Sequence, residues 1–371
     1  MFFLKKNGGF FQMKKIVGIL AAAAVATSVF AADVSAATKI GGKLFSYESE
    51  HTDDSTGKFV PTTIGVLTEN NDSHDYANPN ITFSISDDKA GATVKLTTDG
   101  KTKTVAMTTQ TIWFKPVDAL KITAGNFDVA LNKETIKYTE SITGLGGNGF
   151  LASVNVEGFG LDLGFASNEA FWMTKKDGVS DPELKNFFAK AAYSADFGTI
   201  GGYIAFNKSY NPWEYFNNFI VDTKAGAINN IMFGAGYANN FDGINVFVNV
   251  VGYMGNKFDW VRPEAFVNGS VEDFGFAAFV APLIWVNSDL NKKTELEVVA
   301  KLTYKIDAVT AYAQFEDVNL LADKFASTIK VGAQGSVGAM GWNLWAQIDT
   351  GKGDAKDKVD FSIPFELTMS F

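Results

Sequence analysis

Read backwards from the C-terminus, Val359, Phe361, Ile363, Phe365, Leu367, Met369 and Phe371 are all apolar. Asp360, Ser362, Pro364, Glu366, Thr368 and Ser370 lie between them. Successive side chains of an extended chain point to opposite faces, so this period of two predicts a strand with one apolar and one polar face. A helix would scatter the same apolar set around its circumference. The pattern recurs at Phe159–Phe165, Ile244–Val250, Leu296–Ile306, Val309–Phe315 and Trp342–Ile348, mostly with polar or small residues in alternation, Phe247, Val299, Tyr312 and Trp345 being the departures.

The connections alternate as well. Short turns fall at Glu157-Gly158, Asp196-Phe197-Gly198, Asn240 to Gly243, Glu272-Asp273, Asp307-Ala308 and Val337 to Gly341. Longer polar loops fall at 128–149, 167–187, 208–228, 286–294, 317–326 and 349–358. Strands joined by short turns are antiparallel hairpins, and turns on one side with loops on the other describe a meander across a slab. The chain offers 17 to 19 candidate strands, more than one sandwich uses. Pro263, Pro282 and Pro364 fall inside strands and mark expected irregularities in the ladder, such as bulges. The strand count is odd if every candidate is kept, and the stretch Thr38–Asn70 is where parity fails. No composition break divides the chain and no fixed repeat is present, so residues 32–371 read as one domain.

The N-terminus has a different pattern. Met13-Lys14-Lys15 leads into an apolar run from Ile16 to Ala26, then Thr27-Ser28-Val29-Phe30-Ala31-Ala32. A basic start, a short apolar stretch and a small-residue exit describe a secretory signal peptide, here residues 1–31, with 13–31 as the working part. The cut is expected after Ala31, with Ala32, Ala36 and Ala37 as alternatives; an N-terminal membrane anchor is the rival. Met13 is a better start than Met1.

Composition narrows the reading. Of 32 basic residues only Arg262 is an arginine, against 41 acidic residues, and there are 33 Phe, two His and no Cys. Without Cys there is no disulfide framework, thiolate metal site or Cys nucleophile. Removing residues 1–31 leaves 28 basic against 41 acidic groups, a formal charge of −13, which argues against nucleic acid as a partner. The strands, about 9–11 residues long, suit a tilted bilayer crossing. Aromatics gather near their ends at Phe171-Trp172, Phe187-Phe188, Trp213, Tyr215, Trp260 and Trp285. These features favour lipid, over a second protein layer, as the solvent of the apolar face.

Together with the signal peptide, the terminal strand Phe361–Phe371 resembles that of the porin-type outer-membrane β-barrels of diderm bacteria. Ala119–Phe127 resembles the strand that precedes the inward-folded third loop of general porins. The resemblance implies an all-β, transmembrane, antiparallel up-and-down barrel of 16–18 strands in the outer membrane. It implies outer-membrane lipid and small hydrophilic solutes as partners, a homotrimer, and Phe371 as the signal read by the barrel-assembly machinery.

With the apolar set outward, the inward set includes Lys95, Lys121, Glu157, Asp162, Lys190, Arg262, Glu264, Glu297, Lys301, Glu316, Lys330, Asp360 and Glu366. Lys121, Lys190, Arg262, Glu264, Glu297, Lys301 and Lys330 are the chosen lumen-lining candidates. A barrel this wide is not filled by side chains, so the expected function is a water-filled channel for passive diffusion, mildly cation-selective. Loop 128–149, with Asp128, Lys133, Glu134, Lys137 and Glu140, is the constriction candidate; a surface loop is its alternative.

Chemistry is weakly signalled. Gly144-Leu-Gly146-Gly147-Asn-Gly149 matches a dinucleotide fingerprint but precedes an alternating stretch where a helix is needed, and reads as a flexible loop end. Ser73-His74-Asp75 has the residue types of a triad, but neighbours in sequence point apart. His51 lies in a similar polar loop. No enzyme, metal or cofactor is expected. The rival functions are a surface protein, adhesive or structural, that uses the barrel as an anchor, and a barrel hydrolase built on His51 and His74.

Overall fold

The computed structural model describes residues 32–48, 58–60, 80–99, 104–129, 145–167, 187–206, 231–255, 257–290, 292–317, 319–321, 327–350 and 359–370. They form nineteen strands. In the first half these are β1 (Ala32–Glu48), β2 (Lys58–Val60), β3 (Asn80–Ser86), β4 (Ala90–Asp99), β5 (Thr104–Val117), β6 (Leu120–Val129), β7 (Leu145–Val156), β8 (Phe159–Ser167), β9 (Phe187–Ala195) and β10 (Gly198–Phe206). The second half adds β11 (Ile231–Phe241), β12 (Ile244–Met254), β13 (Phe258–Val271), β14 (Phe274–Trp285), β15 (Glu295–Ile306), β16 (Val309–Asp317), β17 (Ser327–Val337), β18 (Met340–Thr350) and β19 (Val359–Ser370). A short 3₁₀ turn, Ser288–Leu290, precedes β15. Among the described residues no helix is long and apolar enough to cross a membrane.

From β3 to β19 each strand pairs antiparallel with the next, and β1 closes the circle against β19 on one side and β3 on the other. The short β2 also pairs with β1, at Ser46–Glu48, while β3 takes Ala32–Ala37. So β2 and β3 occupy one place in the wall, at opposite ends of β1. This removes the parity problem: the barrel has 18 positions, within the expected range and even. Among the described residues β1 and β3 to β19 each have a partner on both sides, which matters where no water can satisfy bare N–H and C=O groups; the short β2 pairs with β1 alone.

Seven two-residue turns and the three-residue turn Asp87–Lys89 lie at one end of the barrel, together with the start of β1 and the end of β19. Glu157-Gly158 and Asp242-Gly243 have both residues at positive φ (44° and 84°, 50° and 89°). This is the type I′ geometry whose twist matches the flanking strands. The expected turns are all present. The loop expected at 128–149 is shorter, because Asp128 and Val129 still pair with Gly146 and Leu145. The glycine run 146–149 is therefore part of β7, where its residues continue the ladder, and not a loop end. Glu157 sits in a turn and not on the wall.

The two faces differ as the alternation predicts. Val248, Val250, Val280, Ile284, Leu302, Tyr304, Ile329, Val331 and Leu344 are large, apolar and exposed. In an isolated barrel these are the outward positions. The intervening positions point inward and are more buried. The inner wall is not uniformly polar, however. Phe247, Phe266, Phe279 and Val299 are successive partners across β12 to β15, all buried, and form an apolar cluster with Ala281. A second inward row, Phe188–Ala205–Met232–Tyr253–Trp260, is buried as well. Tyr253 and Trp260 stack at 5.6 Å with planes 10° apart, a geometry that adds to their apolar burial. These strands are apolar on both faces, which period-two reading alone does not separate.

The prolines act in two ways. Pro364 faces a bulge in β1 between Lys43 and Phe45. Pro263 and Pro282 cause no register shift; the ladder stops at Val261↔Ile284 and resumes in the same register at Ala265↔Val280.

Candidate functional site

The inner wall is built from rows of directly paired residues. One row runs Lys121–Ser153–Asp162–Lys190–Tyr203–Gly234–Val251–Arg262, from β6 to β13. Lys121, Lys190 and Arg262, distant in sequence, therefore belong to one row of inward positions, which climbs the wall because barrel strands are tilted. Asp162 lies directly opposite Lys190, an opposite-charge pairing across neighbouring strands. The Lys121 ammonium sits 4.6 Å from the Trp113 ring centroid, and Lys115 approaches the same ring at 5.7 Å. Glycines make room for rings lying along the wall: a Cβ at Gly234 would meet the Tyr203 ring at 2.6 Å.

Arg262, Glu264 and Glu297 come together. Arg262 Nη2 donates to Glu297 Oε2 at 2.6 Å, and its Nε lies 3.0 Å from Glu264 Oε1. The second contact is an ion contact whose angle does not make it an aligned hydrogen bond. Asn249 Nδ2 donates to the other Glu264 oxygen at 3.2 Å. Arg262, Glu264 and Glu297 are 1%, 3% and 6% exposed. A guanidinium fork can engage two carboxylates on different strands, which a lysine cannot do in the same way. This gives a physical role to the chain's single arginine.

Lys301 and Lys330 are brought to one row, Lys301–Gln314–Lys330–Gln347–Ser362–Ser46, spanning β15 to β19 and β1. The next row toward the loop end is acidic: Glu316–Thr328–Asp349–Asp360. Thr328 Oγ1 and Gln347 Nε2 each donate to Asp349 at 2.6 Å, and Trp345 Nε1 donates to Gln347 Oε1 at 2.9 Å. The inner face of β15 to β19 thus layers an acidic tier over a tier of donors.

Asp128 lies in β6 without a described side chain, and Lys133, Glu134, Lys137, Glu140 and Phe371 lie outside the described residues, as do His51, Ser73, His74 and Asp75. Among the described residues no group of His, Cys, Asp and Glu could hold a metal ion. Sequence reasoning that looked for charges missed Asn249, Gln314 and Gln347, which are uncharged. Their inward parity was the available signal.

At the loop end, Lys257 bonds Asp289, tying the β12–β13 connection to the 3₁₀ turn and raising the lysine pKa. Lys292 packs 4.2 Å from the Trp285 ring centroid, and burial lowers its pKa. At the turn end, Lys89 bonds Asp118 and holds that carboxyl below its usual range. Asp87 is lowered by the N–H groups of Lys89 and Ala90 that its Oδ1 accepts at 2.7 Å.

No family model and no curated protein matches the chain. Among solved structures, OccK9 (OpdG) of Pseudomonas aeruginosa superposes with a TM-score of 0.50 at 9% identity, over 92% of this chain and 98% of that one. Two mutants of the Rh. blastica porin superpose with TM-scores of 0.46 at 11% and 12% identity, over 92% of this chain and all of theirs. The likeness is one of fold: a closed antiparallel barrel of the kind bacterial outer-membrane porins have.

Proposed function

We propose that the protein is an outer-membrane porin, a water-filled channel through which small hydrophilic solutes diffuse passively. The observation that carries this reading is the division of an 18-position closed wall into two faces. The outer face exposes Val248, Val280, Leu302 and Val331, while the inner face carries Lys121, Asp162, Lys190, Arg262, Lys301 and Lys330. Lipid suits the first and water the second. Eight strands close on a space that side chains fill; 16 to 18 leave an aqueous passage. No fuel or cofactor enters this mechanism.

The finer features belong to the same proposal. The excess of acid gives mild cation preference, and the connection between β6 and β7, with Lys133, Glu134, Lys137 and Glu140, supplies the charges that narrow the passage. Export follows the signal peptide 1–31, the assembly machinery reads Phe371, and three copies associate in the membrane. Purified, folded protein in planar bilayers is expected to insert in discrete steps of conductance, with reversal potentials slightly favouring K⁺ over Cl⁻ in a KCl gradient. A heat-modifiable, folded protein that never conducts would contradict the channel.

A further inference from the structure

The end of the barrel that carries the short turns is rimmed with carboxylates. Asp118, Glu157, Asp196, Asp242 and Asp307 each take one place in a two-residue turn, and Glu272-Asp273 fills both places of another. The three-residue turn adds Asp87 and Asp88. Of these turns only Gly338-Ala339, between β17 and β18, has none. All nine acidic residues are exposed. Four lysines lie in or within three residues of the turns, Lys89, Lys115, Lys121 and Lys305, which leaves a formal excess of five negative charges.

Turn conformation does not account for this composition. Apart from glycines, the described residues with positive φ are Glu157, Asp242, Glu272 and Asp307, at 44° to 53°, and all four are acidic. That region suits glycine, asparagine and aspartate. Glutamate has no such advantage, and asparagine would serve without charge. Pairing does not account for it either. Glu157, Asp242, Glu272, Asp273 and Asp307 have no side-chain hydrogen bond or ion pair among the described residues.

The turns follow one another round the rim, each joining neighbouring strands of the closed wall. Strands about 4.8 Å apart and tilted by roughly 40° put 18 positions on a circle of about 18 Å radius, with about 12 Å between successive turns. That spacing is too sparse for a contiguous acidic patch, but it encircles an opening. Five charges at this radius in water enrich a monovalent cation at the centre roughly threefold in 0.01 M salt, where the Debye length is about 30 Å. In 0.1 M salt, with a Debye length of about 10 Å, the enrichment is only about 1.4-fold. Monovalent anions are depleted to the same degree.

We propose, resting on the reading of the barrel as a channel, that the turn carboxylates form a ring that draws cations to the turn-end mouth and turns anions away, so that entry there selects by charge. The selection is strong in dilute salt and vanishes in concentrated salt.

The test uses the full-length, folded protein in planar bilayers, with reversal potentials read in KCl gradients. The variant Glu157→Gln/Asp242→Asn/Glu272→Gln/Asp273→Asn/Asp307→Asn cancels the excess charge and keeps the size of each side chain. With about 0.01 M KCl on the dilute side, its K⁺/Cl⁻ permeability ratio should lie about threefold or more below that of wild type. With about 1 M KCl there, where the Debye length is about 3 Å, the two should agree. The double variant Glu157→Gln/Glu272→Gln should lose about two fifths of the effect on a logarithmic scale, and it decides the matter where the larger variant does not fold. A ratio unchanged in dilute salt, or lowered equally in concentrated salt, overturns the ring. A folded protein that never conducts overturns the channel reading instead. The ring is then decided by a spin label at Ala308→Cys, on a turn tip, as the ratio of its relaxation by a cationic and by an anionic water-soluble complex in dilute salt. That ratio should fall about threefold or more in the charge-cancelled protein; equal ratios overturn the ring.

Discussion

Pro263 and Pro282 face each other across β13 and β14, and the ladder between these strands is broken at the three positions centred on them. Their pairings on the far sides, Pro263 with Val250 and Pro282 with Leu296, are intact. The nitrogen of each proline therefore points into the β13–β14 gap, where the opposing carbonyl meets no backbone donor. Both residues also line an open apolar groove of about 550 Å³, with Ala235, Val248, Val250, Ala265 and Val280.

Restoring the donors should strengthen the wall. The double variant Pro263→Val/Pro282→Val regains two N–H groups. An unsatisfied carbonyl costs about 1–3 kcal/mol, more than the ~0.4–1 kcal/mol that proline contributes by restricting the unfolded chain. The temperature at which the folded band converts to the unfolded band on gels should rise. An unchanged or lower temperature would show that the gap is satisfied in another way.

Arg262→Ala should be severely destabilising, because it leaves Glu264 and Glu297 buried without their counter-charge. Breaking one partner of a buried pair costs about 3–5 kcal/mol. Arg262→Lys should recover only part of the loss, since an ammonium lacks the fork that reaches both carboxylates. The same gel transition and the yield of folded barrel measure both. Arg262→Lys behaving like wild type would mean that charge alone, and not the fork, holds the cluster.

Lys257 has a raised pKa because Asp289 bonds its charged form. A group raised on folding adds stability below its unfolded pKa and loses it as pH rises through the folded value. Asp289→Asn should therefore return the Lys257 titration toward the ordinary lysine value of about 10.4, as read by NMR of the ammonium group. Both side chains are exposed, so the gel transition at neutral pH should hardly move. A lysine titration unaffected by the substitution would contradict the pairing.

Ala32 to Ala37 pair with Ile85 to Asn80 as the first turn-end segment of β1. Cleavage after Ala36 or Ala37 would strip most of this segment, and cleavage after Ala31 keeps it all. Mass spectrometry of the exported protein should find Ala32 as the first residue. A mature N-terminus at Ala37 or Thr38 would mean that β3 loses this partner.

The barrel was legible in the sequence because period-two alternation and tight turns are local. The strand Val359–Ser370 and the turn at Asp242-Gly243 are read from a dozen residues or fewer. The parity of the wall was not legible, since β2 and β3 share one place only through pairing with β1. Inward burial of Phe247 and Phe266 was also hidden, because β12 and β13 are apolar on both faces. Parity placed Arg262, Glu264 and Glu297 on one face, but their meeting depends on registers across three strands. Gln314 drew no notice as an uncharged residue; only the strand registers place it between Lys301 and Lys330.

The central claim is the sidedness of the wall, and the absence of cysteine allows it to be tested at single positions. Spin labels at Leu302→Cys and Val331→Cys should be relaxed by oxygen dissolved in the bilayer. Labels at Thr303→Cys and Lys330→Cys, one residue away on β15 and β17, should respond to a water-soluble nickel complex. The account predicts this alternation in reconstituted vesicles. The reverse pattern, or the same response at all four positions, would contradict it.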